Sequence, residues 1–425
     1  MRGILDKLIS PSQNAFVLGR SIGDNILLAQ ELFSGYNQRY LPPRCALKVD
    51  LWKAYDTVEW DFLRAVLTHF GFPDQFILWI IECVTMPSYS VCLNGSPHGF
   101  FRGARGLRQG DPMSPYLFVL VMELFQLGFA DDLLLFSMAD TSSVLVFKHA
   151  LTAFADLSGL HANLHKSHLI LSRSAAPLRD ELLATLDFQE GHLPLRYLGL
   201  PLLGVPVNYC RLPTDPSRLR SVSANFCGRV LLKVDMLKYL GNKFVGQSVG
   251  GLGIRDIHAL NKGLMSRHLW RIIMADRSSI WVDWIIHYRL RESSVWTISD
   301  RTGTCGWRKL VRLREWLRPI IFYPIGDGTS FSLWHDPWHK QGPLILQFPL
   351  GPRHTAISDS ALLCTVIRDG GWNWPSITDM ESIDITHSLP SIHAGNDCIL
   401  WKGPRGFFSS SAAYAVFAPT GPKVG

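Results

Sequence analysis

Three aspartates carry the strongest chemical signal in the chain: Asp50 at the end of an alternating stretch, and the adjacent pair Asp131 and Asp132 between two apolar runs. Carboxylates brought together repel one another and hold their protons more tightly unless cations neutralise them. Such a set suits hard divalent metals that prefer oxygen ligands. Two magnesium ions about 3.5 to 4 Å apart can activate an attacking hydroxyl and stabilise a departing phosphate oxygen, which is the chemistry of phosphoryl transfer. Taken singly, each aspartate reads better as an ordinary turn or cap residue.

The surrounding sequence has to position these groups. Residues 46–51 alternate, with Leu47, Val49 and Leu51 on one face and Lys48 and Asp50 on the other, which predicts a strand presenting Asp50 at its end. Asp56 with Glu59 has capping-box spacing, and Trp60, Leu63, Leu67 and Phe70 continue at helical intervals until Gly71 and Pro73. Upstream, Asp24 reads as the cap of a helix whose apolar face is Ile26, Leu27, Leu32 and Phe33. Residues 89–93 and 97–101 flank Asn94-Gly95, a hairpin signal. A glycine-rich loop, 102–111, feeds a helix capped by Ser114 with Pro115 at its first position. Asp131 and Asp132 fall in a turn between strand-like flanks, and a helix at 145–157 ends near Gly159. The helix begun at Ser114 is expected to run through Phe125, yet strand-like sequence resumes by Leu127, leaving almost no connector. Sequence is therefore read as missing at Phe125/Gln126.

At 425 residues the chain is long enough for roughly two to three domains. Its 47% hydrophobic and 18% charged content is that of a globular protein and excludes disorder as the main state. The net charge of +7 leans toward a polyanionic partner, and it is regional: residues 255–318 hold thirteen Lys/Arg against six Asp/Glu. Eight cysteines without a Cys-x-x-Cys pair read as reduced thiols of a nuclear or cytoplasmic protein. The start, MRGILDKLIS, has no secretory apolar core, and no apolar run is long enough to span a bilayer. Trp270, Trp281, Trp284, Trp296, Trp307 and Trp316 interleave with arginines, which reads either as phosphate-gripping and base-stacking or as amphipathic helices with buried Trp and solvated Arg. His335 and His339 could form a metal pair, but no further ligands cluster beside them, and structural use is the better reading.

Three segments in order carry a family resemblance: Leu47-Lys-Val-Asp50-Leu-Trp-Lys-Ala-Tyr-Asp56, Gly106-Leu-Arg-Gln-Gly-Asp-Pro-Met-Ser-Pro115 and Phe129-Ala-Asp-Asp132. They resemble motifs A, B and C of reverse transcriptases, in wording similar to plant non-LTR, LINE-type retrotransposons. Gln13-Asn-Ala-Phe16 with Gly19-Arg20-Ser-Ile-Gly-Asp-Asn25 resembles the finger motif ahead of the palm, Asn163-Leu-His-Lys-Ser167 resembles motif D, and Tyr197-Leu-Gly-Leu-Pro201 the primer grip. The resemblance implies an α+β fold: a right-hand polymerase palm, an antiparallel sheet with helices, with partial fingers, a mostly helical thumb and an irregular C-terminal domain. It implies boundaries of 1–45 for the fingers, 46–204 for the palm and 205–260 for a shortened thumb. A basic, Trp-rich region follows at 261–402, preceding a missing zinc-binding module, and then a flexible tail at 403–425.

By position in the motifs, Asp50 and Asp131 would bind two Mg2+ ions and Asp132 would support them. Tyr55 would lie under the incoming sugar and exclude a ribose 2′-hydroxyl, while Gln109 and Gly110 would pack against nucleotide and template. Arg20 would meet the triphosphate or template, and Lys166 would serve departing pyrophosphate. The implied function is RNA-directed DNA polymerisation with an RNA template, a DNA primer and dNTP. The alternative is a nucleic-acid-binding remnant of a retroelement without turnover.

Overall fold

In the computed structural model, which describes residues 3–38, 40–123, 128–202, 257–291, 293–374, 388–402 and 407–418, the alternating stretch around Asp50 forms β1 (Arg44–Asp50). This strand is the middle of a five-stranded sheet ordered β4-β5-β1-β6-β7. Its other members are β4 (Gly128–Phe129), β5 (Asp132–Met138), β6 (His168–Leu171) and β7 (Gln189–Gly191). Pairs from β4 through β6 are antiparallel, whereas β7 runs parallel to β6. The expectation of an antiparallel sheet is corrected at this edge. The segment between β6 and β7 contains α8 (Arg179–Leu186), and a helical crossover is what a parallel neighbour requires.

Both faces of the sheet are covered, as the strand period of two dictates. Leu47, Val49, Leu133, Leu135 and Leu169 pack under Leu63 and Leu67 of α4 (Trp60–His69), Ile80 of α5 (Asp74–Thr85), Leu117 and Leu120 of α6 (Ser114–Met122) and Phe154 of α7 (Thr141–Ser158). The same core takes in Leu5 of α1 (Leu5–Leu8) and Ala54 of α3 (Ala54–Thr57). Ala46, Leu134 and Ile170 face the other way, onto Ala29 and Phe33 of α2 (Ile22–Phe33), Tyr36, and the hairpin of β8 (Leu195–Tyr197) with β9 (Leu200–Leu202). Each fully buried large apolar side chain contributes about 1.5 to 3 kcal/mol, so the strand carrying Asp50 is held by the bulk of this unit's core.

Helix ends differ from expectation in instructive ways. Ser21, not Asp24, caps α2 by accepting the Gly23 N–H at 3.2 Å, while Asp24 is buried inside the helix and accepts from Ser279 at 2.7 Å. The Asp56/Glu59 capping box does not form, because Glu59 faces Arg105 instead, at 3.2 Å. Ser114 is the first helical residue rather than the cap, and Asp111 takes the Met113 N–H at 2.8 Å. α6 ends at Met122, short of the expected Phe125; residues 124–127, where the gap was read, lie outside the described residues. α7 begins at Thr141, capped by Asp140, and stops at Gly159 with φ +77°. The Asn94-Gly95 hairpin joins β2 (Ser88–Leu93) to β3 (Ser96–Arg102), with φ of +50° and +81° at the two turn residues.

The chain divides into two compact units, Met1–Val207 with Ser278–Trp281, and Asn208–Arg277 with Val282–Gly425. The expected thumb, 205–260, lies outside the described residues up to 256. In the second unit, the helix Ile257–Ile273 packs on the helix Ser410–Phe417, and a Cβ at Gly263 would stand 3.0 Å from the Tyr414 backbone. Among the described residues, its named strands form two short pairs, β10 (Ile321–Phe322) with β13 (Leu400–Trp401) and β11 (Ile367–Arg368) with β12 (Gly371–Trp372). Trp281, Trp296 and Trp307 are buried, as amphipathic packing requires, whereas Trp316 is exposed. His335 lies between Thr297 and Asp359, and buried His339 contacts Ser388. Among the described residues, no helix is long and apolar enough to cross a membrane.

Candidate active site

The register of β1 and β5 sets Asp50 directly opposite Asp132. Residues opposed across an antiparallel pair share a face, so the two carboxyl groups lie on the same side of the sheet. Asp131 precedes Asp132 in the two-residue turn, Ala130–Asp131, that joins β4 to β5. Lys48 shares the face with Asp50, two residues away, and its Nζ is 3.7 Å from Asp132 Oδ1. Burial pushes the Asp132 carboxyl above the ordinary carboxylate range; Lys48 opposes that shift, and Asp131 and Asp50 add to it.

Backbone hydrogen bonds aim these side chains. The Asp50 N–H donates to Ser167 Oγ at 3.1 Å, and the Asp50 carbonyl accepts the Asn163 N–H at 2.7 Å. Ser167 and Asn163 are both buried. On the other side, fully buried Gln13 accepts the N–H groups of Ala15 and Ala130 on its Oε1, each at 3.1 Å. Ala130 has φ +53°, a left-handed conformation unusual for alanine, so the turn carrying Asp131 is held in shape by a residue far away in sequence.

Tyr55 follows β1 and stacks on Phe118 of α6, ring centroids 4.5 Å apart and 16° from parallel. Burial first, and Asp131 second, push its hydroxyl up to about 12. Its carbonyl accepts the Leu107 N–H at 2.6 Å, and the Val58 carbonyl accepts the Gly106 N–H at 2.8 Å, which fastens the glycine-rich loop to the segment after β1. A Cβ at Gly106 would lie 2.7 Å from the Asp56 carbonyl oxygen. Close backbone approach within the protein is therefore made at Gly106. Gly110 has φ +89° and open space where a Cβ would point, and exposed Gln109 reaches Asp56 at 3.4 Å.

Residues 1–202 match the family described as reverse transcriptase (RNA-dependent DNA polymerase). Similar proteins include the transposon TX1 uncharacterized 149 kDa protein of Xenopus laevis, 30% identical and covering 29% of this chain and 10% of that one. The retrovirus-related Pol polyprotein from type-1 retrotransposable element R2 of Nasonia vitripennis is 27% identical, covering 37% and 16%. Residues 1–202 are a reverse transcriptase domain of the non-LTR retrotransposon type. The chain spans only 10% and 16% of the length of those two relatives. A solved structure of apo telomerase from Candida tropicalis, truncated from its C-terminal domain, is 14% identical with a TM-score of 0.31, covering 40% of this chain and 38% of that one.

Within the reverse transcriptase domain, Arg20 was expected to meet the triphosphate or template. Arg20 directs its guanidinium at backbone carbonyls, those of Gln13 at 2.7 Å, Ile9 at 2.6 Å and Ser10. These oxygens lie just beyond α1, where carbonyls have no helical partner, and a planar fork of donors can take several at once. These bonds shape the segment that holds Gln13. Lys166 is exposed and sits in the turn, between Asn163 and Ser167, that bonds to Asp50.

A reverse transcriptase domain works with divalent metal ions, and the carboxylates here fit them by donor type: hard oxygen ligands, with the Asp132 carboxyl raised by burial first and then by Asp131 and Asp50. Among the described residues, no group of three or more His, Cys, Asp or Glu that could hold a metal ion is formed, so Asp50, Asp131 and Asp132 do not by themselves make up such a group. Gln13 and Ser167 were not among the site residues expected from sequence. Both fall inside recognisable motifs, but nothing local announces a partner more than a hundred residues away.

Proposed function

We propose that the domain catalyses RNA-directed DNA synthesis. The primer 3′-hydroxyl attacks the α-phosphate of a dNTP, a new P–O bond forms, the bond to the β-phosphate breaks, and pyrophosphate leaves with the displaced electron pair. Asp50 and Asp131 are the residues that would hold two Mg2+ ions, with Asp132 supporting them. Bound there, the ions would lower the pKa of the attacking hydroxyl and neutralise charge on the leaving oxygen. Tyr55, braced by Phe118, stands as the sugar gate that selects dNTP. Gln109 and Gly110 offer an exposed surface to nucleotide and template. Lys166 is free at its ammonium end to place positive charge beside pyrophosphate.

The observation that carries this reading is the opposition of Asp50 and Asp132, with Asp131 in the adjoining turn. Primer extension on poly(rA) with an oligo(dT) primer, dTTP and Mg2+ tests it. Incorporation abolished by Asp131→Asn supports polymerisation. Incorporation that survives Asp131→Asn and Asp50→Asn alike overturns it.

A second reading, nucleic-acid binding without turnover, is favoured by the Lys48–Asp132 ion pair, which already neutralises one carboxylate with a protein cation. Salt-sensitive binding of primer–template without incorporation in the same assay supports this second reading.

A further inference from the structure

The second unit contains a cavity of about 540 Å³ to which no role has been attached. That volume is in the range of small-molecule and cofactor sites, and larger than a single base needs. Its walls combine flat aromatic surface with polar and cationic groups: Phe322, Trp338, Arg318, Lys340 and His393 line it, and among the described residues none that lines it is acidic. Phe322 belongs to β10, the two-residue strand paired with β13, and is 45% exposed. The ammonium of Lys402 lies 5.7 Å from the ring centroid and adds a cation beside the ring.

The other walls are rigid. Arg318 donates to the carbonyls of Pro337 at 2.7 Å and His339 at 3.1 Å, so its charge is fixed in place. Trp338 is buried, donates its indole N–H to Leu333 at 2.9 Å and stacks on Trp372. Lys340 and His393, by contrast, are exposed. A fixed positive wall, the ammonium groups of Lys340 and Lys402 and a half-exposed phenyl ring match one ligand chemistry: an aromatic base carrying a phosphate.

We propose that this cavity binds a nucleotide unit, its base on Phe322 and its phosphate toward Lys340. The site is separate from the polymerase carboxylates and does not depend on their activity. The same chemistry is offered by a free mononucleotide and by an unpaired nucleotide within a strand.

Photo-crosslinking of the full chain tests the assignment, with 5-iodouridine monophosphate and a short oligoribonucleotide bearing one 5-iodouridine as probes. Label on Phe322 or Trp338 supports the site; labelling by the monophosphate marks a free-nucleotide pocket, and labelling by the oligonucleotide alone marks a strand-binding one. Phe322→Ala should weaken labelling affinity about tenfold, within the range for loss of one stacked base. Lys340→Glu, an exposed change that leaves the fold intact, should weaken it by a similar factor and remove its salt dependence. Label confined to residues 1–202, or affinity unchanged in both variants, overturns the proposal.

Discussion

Gln13 Oε1 accepts the N–H of Ala130 at 3.1 Å, and through that bond the segment following α1 holds the turn that carries Asp131. Gln13 is fully buried, so its loss would leave the Ala130 N–H without water to replace it. Gln13→Ala is expected to lower unfolding stability by roughly 1 to 3 kcal/mol in denaturant titration. It should lower kcat for dTTP incorporation more than it changes KM, because the displaced group acts in the reaction rather than in binding. Unchanged kcat in a folded Gln13→Ala protein would sink the positioning role.

Gly106 and Gly110 make a controlled pair. Both have positive φ, +96° and +89°, but a Cβ at Gly106 meets the Asp56 carbonyl oxygen at 2.7 Å and one at Gly110 meets nothing within 4 Å. Gly106→Ala should cost at least about 2 kcal/mol, strain and clash together, and Gly110→Ala about 1 kcal/mol from backbone conformation alone. Equal losses for the two variants would mean that the loop relaxes away from Asp56.

Asp132 links the site to pH. Its carboxyl is raised in the folded state by burial and then by Asp131 and Asp50, so the folded protein holds its proton to higher pH than the unfolded chain does. Stability is then greatest below the unfolded value and falls as pH rises from that value through the folded one. Asp132→Asn, which cannot ionise, should raise the metal-free thermal midpoint at neutral pH and flatten its dependence across the acidic range. A lower midpoint at neutral pH would mean that the Lys48 ion pair outweighs burial.

Tyr55 is expected to govern sugar choice through bulk. Tyr55→Val removes the ring stacked on Phe118 and should raise ribonucleotide relative to deoxyribonucleotide incorporation by about tenfold or more, measured as a ratio of kcat/KM values. Tyr55→Phe keeps the ring and should leave the ratio near that of the natural protein. A ratio unmoved by Tyr55→Val would remove Tyr55 from the sugar site.

Elements whose signal is periodic or conformational could be read directly. β1 follows from the alternation of Leu47 and Val49 with Lys48 and Asp50, and the β2–β3 turn from Asn94-Gly95. The Gly159 stop of α7 follows from a residue that tolerates positive φ. What could not be read is the choice of partner. Asp24 has the composition of a cap but is drawn into the interior by Ser279, and Glu59 leaves its capping role for Arg105. Arg20 looks like a ligand-facing cation, yet the carbonyls beyond α1 claim it. In each case a hydrogen bond distant in sequence outcompetes a local rule. The same holds for Gln13 and Ser167, which orient the acidic turn and β1 without any motif spelling out their task.

The clamp on Asp50 is made entirely to its main chain, by Asn163 on one side and Ser167 on the other. The scaffold therefore does not depend on which side chain stands at that position. A copy that has lost its reagent carboxylate would keep its shape, escape quality control that senses unfolding, and still occupy primer–template. Dead and working versions of this domain could thus compete for the same nucleic acid, with the dead form acting as a dominant brake on copying.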